Sequence, residues 1–246
     1  MLSYTAVYTC NTPHRLVIMK HAILSSVFFI APLMAHAAGM LPETSVVIVE
    51  QQNGEGVINV RNTDSKPSLL LTTLINIKGD DEMLLSVTPP VARVEPGKSQ
   101  RVRFIMTSKE PLKSERLKRV IFEGVPPQKK GGNEVQMTVS QNLPVIIRPA
   151  GLEKDPEPWK RLTWKQSGNT LTVSNPSPYV VRMASAVTTM PGNATLMIPD
   201  TFILPGQTIS ATAPDGTGIG NPDTVRISPA SAWGYSVQTY DAPITK

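Results

Sequence analysis

The chain has 246 residues, with 24 basic and 19 acidic side chains and a formal net charge of +5. That mildly basic balance gives no argument for a nucleic-acid partner. Three histidines and one cysteine leave little for imidazole, thiol or metal chemistry, and 23 prolines with 16 glycines break the chain too often for long helices.

Residues 1–37 read as a secretory targeting segment. Met19-Lys20-His21 is a basic start, residues 22–33 are an apolar run, and Ala35-His36-Ala37 places small residues two apart before a cleavage point. The run is too short for a membrane span, so no membrane insertion is expected after its removal. Met19 is the expected true start. His14, His21, His36 and Cys10 all precede the cut, so the mature chain contains neither His nor Cys. That excludes a Ser-His-Asp triad, a Cys nucleophile, an imidazole base, ordinary zinc or iron sites and an intrachain disulfide. Loss of Arg15 and Lys20 leaves 22 basic against 19 acidic residues, a net charge of +3.

About 209 residues remain, enough for one large β domain or two of about 100 residues each. No segment keeps a capped helical period over three turns. Short β-rich runs between turn signals predict an all-β chain of two immunoglobulin-like β-sandwich domains joined by a short linker. The expected division is residues 38–149, a linker over 150–158, and residues 159–246. In the first half, residues 44–49 (TSVVIV) and 57–60 (VINV) are predicted strands around a turn at Asn53-Gly54. Residues 69–77 form an apolar run suited to a buried strand. Residues 78–82 (KGDDE) read as a solvated turn, because the spacing of a calcium loop is missing. In residues 87–104, Pro89-Pro90 break the chain, Val91 and Val94 are expected to point inward, and Glu95-Pro96-Gly97 turns into the next strand. The basic stretch 113–119 (KSERLKR), with Lys129-Lys130 nearby, reads as a solvated face, since no aromatic residues interleave for base stacking, with an anion-binding patch as the alternative.

Residues 135–149 (VQMTVSQNLPVIIRP) alternate strictly. Val135, Met137, Val139, Gln141, Leu143, Val145 and Ile147 share one parity, apolar at all but Gln141. Such alternation makes one face of a strand apolar and the other wet. Pro144 cannot donate a ladder hydrogen bond, which places at least that part on a sheet edge. A long edge strand with an apolar row invites a partner. In the second half, strands are predicted at 162–164, 170–173, 180–183, 201–204, 208–213, 224–227 and 234–239.

Four stretches, in order and spacing, carry a resemblance to a known family. They are Pro89-Pro90 with Val91 and Arg93 before Glu95-Pro96-Gly97, and Ser114-Glu115-Arg116 leading to Val125-Pro126-Pro127. The third is the alternating strand closing on Arg148-Pro149, and the fourth is Asn175-Pro176-Ser177-Pro178-Tyr179. Together they resemble the PapD-like periplasmic chaperones of the chaperone–usher pilus pathway, in the type with a short loop (here 128–133) before the long strand. The resemblance implies a periplasmic chaperone, not an enzyme and without cofactor, whose partners are pilus or fimbrial subunits and an outer-membrane usher. Chaperone–pilin pairs are a known instance of β-augmentation, in which an extended segment completes a partner's sheet. The resemblance assigns subunit binding by strand 135–148 to Val135, Met137, Val139 and, by parity, Leu143. Burying each would contribute roughly 1.5–3 kcal/mol.

Glu115 and Arg148 match two members of a charged cluster at the family's domain interface; the third, an Asp, is replaced by Ala232. The family's basic pair for a subunit's C-terminal carboxylate is missing. Its lysine position aligns with Pro144, and its arginine position falls within 44–46, where nothing is basic. Arg116 or Arg148 is therefore the expected substitute anchor, with a purely structural Glu115–Arg148 pair as the alternative. A periplasmic β-sandwich binding protein or hydrolase with a non-pilus client or substrate is the other functional reading.

Overall fold

This computed structural model describes residues 39–127, 138–214, 216 and 218–246. The expected targeting segment, Val135, Met137 and the loop 128–133 lie outside the described residues. The first sandwich is built from β1 (Met40–Pro42), β2 (Val47–Glu50), β3 (Glu55–Asn62), β4 (Ser68–Ile75), β5 (Leu85–Thr88), β6 (Val91–Val94), β7 (Ser99–Met106), β8 (Arg116–Val125) and β9 (Ser140–Arg148). Their order is β5-β7-β3-β2-β9-β8-β4-β6, with β1 paired to β3.

The period-two pattern explains the core. Along β3, Gly56, Ile58, Val60 and Asn62 are buried, while Val57, Asn59 and Arg61 face out. Ile58 and Val60 pack with Val49, Leu70, Val102, Phe104 and Phe122. Gly56 is required by the close approach of β2: a Cβ there would lie 2.4 Å from the Ile48 carbonyl. Buried Asn62 satisfies its amide by donating to the carbonyls of Lys66 (2.9 Å) and Val94 (2.8 Å).

Three expectations fail here. The apolar run 69–77 is not a fully buried strand: β4 turns Leu70 and Thr72 inward, while Leu69 and Ile75 face out. Val94 is buried as expected, but Val91 is half-exposed, because the two lie on opposite faces of a four-residue strand. The stretch 113–119 is not a solvated face either: Lys118 is only 3 % exposed.

The second sandwich contains β10 (Thr163–Ser167), β11 (Thr170–Ser174), β12 (Val181–Arg182), β13 (Ala186–Met190), β14 (Thr195–Met197), β15 (Phe202–Ile203), β16 (Thr208–Ala211), β17 (Thr224–Ile227) and β18 (Tyr240–Thr245). Seven of them form the order β14-β13-β17-β18-β10-β11-β16, and β12 pairs with β15. Trp164, Leu171, Val173, Leu196, Ile203, Val225 and Ile227 lie in its core. The sequence pattern missed β13, β14 and β18. Residues 234–239 form a loop rather than the expected strand; β18 follows it, disguised by Pro243.

A third, smaller apolar cluster joins the two sandwiches. Val46, Leu117 and Ile146 of the first meet Val180 of the second, with Phe202 and Leu204 packed against them. Among the described residues no helix is long and apolar enough to cross a membrane.

Candidate functional site

β9 is the strand to which the candidate site belongs, and its two ends have different neighbours. On one side β8 runs antiparallel along it from Glu123↔Ser140 to Arg116↔Ile147. On the other, β2 runs parallel but pairs only from Val47↔Val145 to Glu50↔Arg148. Among the described residues, no strand pairs with Ser140–Pro144 on that second side. The edge predicted at Pro144 is therefore local: Val145 to Arg148 lies inside the sheet, and the uncovered stretch ends at the proline.

The apolar row crosses this division. Leu143, Val145 and Ile147 are core residues, whereas Val139 is 45 % exposed with Gly39 close beside it. Leu143 is thus corrected as a subunit-contacting residue. It is 7 % exposed because the first sandwich already covers that level of the strand. Val139 is the one residue of the expected set that is described and free to meet a partner.

Two even-numbered residues of β9 meet the second sandwich. Ile146 joins the apolar junction, and Pro144 lines a pocket of about 330 Å³. Leu117 and Arg119 of β8 and Arg182, Phe202 and Ser236 of the second sandwich also line it.

Neither expected anchor reaches this pocket. Arg116 donates from Nε to Asp80 Oδ2 (2.9 Å) and from Nη1 to Glu82 Oε2 (3.0 Å), with a further bond from Nη2 to Asp80 Oδ1. Lys118 Nζ also donates to Asp80, at Oδ1 (3.0 Å) and the main-chain carbonyl (2.7 Å). Burial pushes the Asp80 carboxyl up, but the bonds from Arg116 and Lys118 outweigh it and hold it below its ordinary value. Asp80 is thus the hub of an ion-pair cluster within an acidic turn whose other residues are exposed, as expected.

Arg148 is equally committed. Its Nε donates to Glu115 Oε1 (3.1 Å) and its Nη1 to Glu50 Oε1 (3.3 Å). Glu115 Oε2 accepts the Val180 N–H at 2.8 Å, so the pair spans the junction between the sandwiches. Burial raises the Glu115 carboxyl against the opposing pull of the Val180 N–H and Arg148. Arg148 thus takes the structural alternative, the pair with Glu115, and Arg116 holds Asp80 and Glu82, because a sequence does not show which cations already hold carboxylates.

The cations that do face the pocket are Arg119 and Arg182. Arg119 donates from Nε to Asn142 Oδ1 (2.8 Å) and from Nη2 to the Asn142 carbonyl (3.0 Å). Arg182 Nη2 donates to the carbonyls of Ser231 (2.6 Å) and Ala232 (3.4 Å). All these acceptors are neutral. Desolvation lowers both guanidinium groups below their ordinary value; at Arg182 the charge of Glu115 opposes this and that of Arg119 adds to it. Parity in KSERLKR separates Leu117 and Arg119 from Arg116 and Lys118, a signal available in the sequence. Nothing local marks Arg182, which folding alone brings beside Arg119.

The comparisons with known proteins agree with this architecture. Residues 39–153 match the family model described as the pili and flagellar-assembly chaperone, PapD N-terminal domain. Residues 157–240 match that of the pili assembly chaperone PapD, C-terminal domain. The curated relative "Uncharacterized fimbrial chaperone YhcA" of Escherichia coli K12 is 41 % identical over 224 residues, covering 90 % of this chain and 98 % of the relative. Among solved structures, that of Salmonella enterica SafA pilin with the SafB chaperone matches with a TM-score of 0.70 at 20 % identity, covering 85 % of this chain and 97 % of that one. The E. coli chaperone DraB gives 0.67 at 21 % identity, with the same coverages of 85 % and 97 %. At those identities the structural likenesses concern the fold.

Proposed function

The chain belongs to the PapD family of pilus-assembly chaperones, and from that membership we propose that it captures pilus subunits by adding a strand to the uncovered edge of β9. The client is a fimbrial subunit lacking a strand of its own sheet, met in the periplasm and passed to an outer-membrane usher. The observation that carries this reading is the interruption of pairing at Pro144, with Val139 exposed just beyond it. Main-chain hydrogen bonds along the edge would supply affinity, and alternate side chains entering the subunit would supply specificity. Val139 leads this set; Met137 and Val135 share its parity. Leu143 stays with the chaperone's own core.

The direction of the added strand follows from charge. β2 runs parallel to β9, and a client strand in line with β2, also parallel, would end its chain at Pro144 beside Arg119 and Arg182. An antiparallel strand would bring an N-terminal ammonium against two guanidinium groups, which Coulomb repulsion disfavours. The C-terminal carboxylate therefore enters the pocket, with Arg119 and Arg182 in the role first expected of Arg116 or Arg148.

Co-purification of a tagged chaperone with fimbrial subunits from periplasm tests the reading. Val139→Asp should abolish capture while leaving the free chaperone folded, because a carboxylate forced into an apolar groove loses hydration without a partner. Undiminished capture by the variant would defeat it.

A further inference from the structure

The loop 231–236 of the second sandwich is braced along its main chain while its largest side chains stand in solvent. The Ser231 N–H donates to the Tyr235 carbonyl (2.8 Å), the Gly234 N–H to the Ser231 carbonyl (2.9 Å) and the Tyr235 N–H to Ser231 Oγ (3.2 Å). Arg182 holds the Ser231 and Ala232 carbonyls, and Ser45 of the first sandwich donates from Oγ to the Trp233 carbonyl at 3.1 Å. Gly234 has a φ of 86°, and a Cβ there would stand 2.2 Å from Ser45 Oγ, so the loop is pressed against the first sandwich. Trp233 and Tyr235 are nevertheless 54 % and 69 % exposed, the two exposed aromatic side chains among the described residues. We propose that Trp233 and Tyr235 are a second contact for the client subunit, aromatic anchors set at the end of the strand that β9 receives.

Position carries this assignment. A strand added beside Ser140–Pro144 in line with β2 has to stop where β2 begins, since Val47 already pairs with Val145. Residues 44–46 lead into β2, and Ser45 among them is the residue that the loop touches. The loop also borders the level of Pro144: Ala230 and Ser236 bridge to each other at its base, and both line the pocket with that proline. The uncovered edge therefore leads to the aromatic pair. Side-chain chemistry agrees with position. Each ring can bury roughly 150–250 Å² in a contact, and tryptophan and tyrosine are enriched among the residues that dominate interface affinity. A loop already braced loses little further freedom when a partner covers it. The matching surface of the subunit is an apolar patch next to the end of its added strand. That the partner is the subunit rests on the strand-addition reading above.

Trp159 and Trp164 are buried, so Trp233 is the tryptophan that a partner can cover. Mature chaperone labelled with 5-fluorotryptophan gives a Trp233 fluorine signal, identified by its loss in Trp233→Phe. Addition of the unlabelled fimbrial subunit that co-purifies from periplasm should shift this signal and shield it from a soluble gadolinium complex. Trp233→Ala should raise the dissociation constant for that subunit about ten-fold and Tyr235→Ala about five-fold. Melting temperatures should stay at the wild-type value, because both side chains stand in solvent. A Trp233 signal that stays exposed in the complex, or wild-type affinity in both alanine variants, overturns the contact; loss of capture in Val139→Asp would then leave strand addition standing. Shielding of Trp233 together with undiminished capture by Val139→Asp upholds the contact and defeats strand addition. Shielding that grows with chaperone concentration in the absence of subunit assigns the loop to a second copy of the chain and overturns the proposal.

Discussion

The two halves of β9 share a backbone, a parity and a kind of side chain, yet they differ in fate. From Val145 to Arg148 the strand has β2 on one side and β8 on the other, and Val145 and Ile147 are wholly buried. From Ser140 to Pro144 it has β8 alone among the described residues, and the same row emerges at Val139 half in solvent. One amphipathic strand is thus core at one end and an unfilled sheet edge at the other. What separates the two ends is where a neighbour stops, and the apolar row is equally suited to both.

The largest expected effect comes from placing the same charge in each half. Val145→Asp buries an unpaired carboxylate in a finished core and should cost about 4 kcal/mol or more, enough to lose the native transition in a urea melt. Val139→Asp should change stability by about 1 kcal/mol or less while eliminating subunit capture. Equal unfolding by both variants would erase the distinction between the halves.

The arginines divide in the same way. Arg148→Ala leaves Glu115 and Glu50 without their cation and should destabilise by about 3 kcal/mol, measured by chemical denaturation. Arg119→Ala removes a cation with no carboxylate partner and should cost about 1 kcal/mol or less. A larger loss for Arg119 than for Arg148 would reverse the assignment of which cation supports the fold.

A smaller effect is expected in the pH dependence, where the carboxylates of Asp80 and Glu115 act with opposite sign. Asp80 is held below its ordinary value of 3.8, so its stabilising contribution is present above that value and is lost as pH falls through the lowered one. Glu115 is raised above 4.5, so its contribution is full below 4.5 and is lost as pH rises through the raised value. Melting temperature followed against pH should lose part of its acid limb in Asp80→Asn. In Glu115→Gln the decline above 4.5 should flatten instead. Identical profiles in both variants would show that the two sites do not differ.

The smallest effect expected is none. With His14, His21, His36 and Cys10 all upstream of residue 37, neither a chelator nor a thiol reductant should shift the melting temperature of the mature chain beyond scatter. A clear drop with either reagent would point to a metal or an intermolecular disulfide.

Much of the architecture was legible from turn residues and alternation. β17 begins and ends where predicted, and β3, β11 and β16 lie close to their expected limits. The failures share a cause. Leu69 and Val91 were taken as core because an apolar residue does not by itself reveal which face of a strand it occupies. β18 was missed because Pro243 reads as a breaker, although its neighbours still pair with β17 and β10. Of the expected site, Val139 is exposed and Glu115 pairs with Arg148, whereas Leu143 is core and Arg116 and Arg148 are engaged in ion pairs.

The sequence by itself determined the β-rich class, the alternating row ending at Arg148 and the absence of His and Cys after residue 37. It also carried the motifs that resemble the chaperone family. These are properties of local order, fixed by side-chain period and turn chemistry. Only the tertiary structure decided where β2 stops along β9, which arginines already hold carboxylates, and that Arg119 and Arg182 share a pocket. Those facts depend on pairings between segments far apart in the chain: Arg119 and Arg182 belong to different sandwiches, and β2 meets β9 across most of the first. Ladder pairing and charge compensation are settled by such neighbours, and a strand's own residues do not name them.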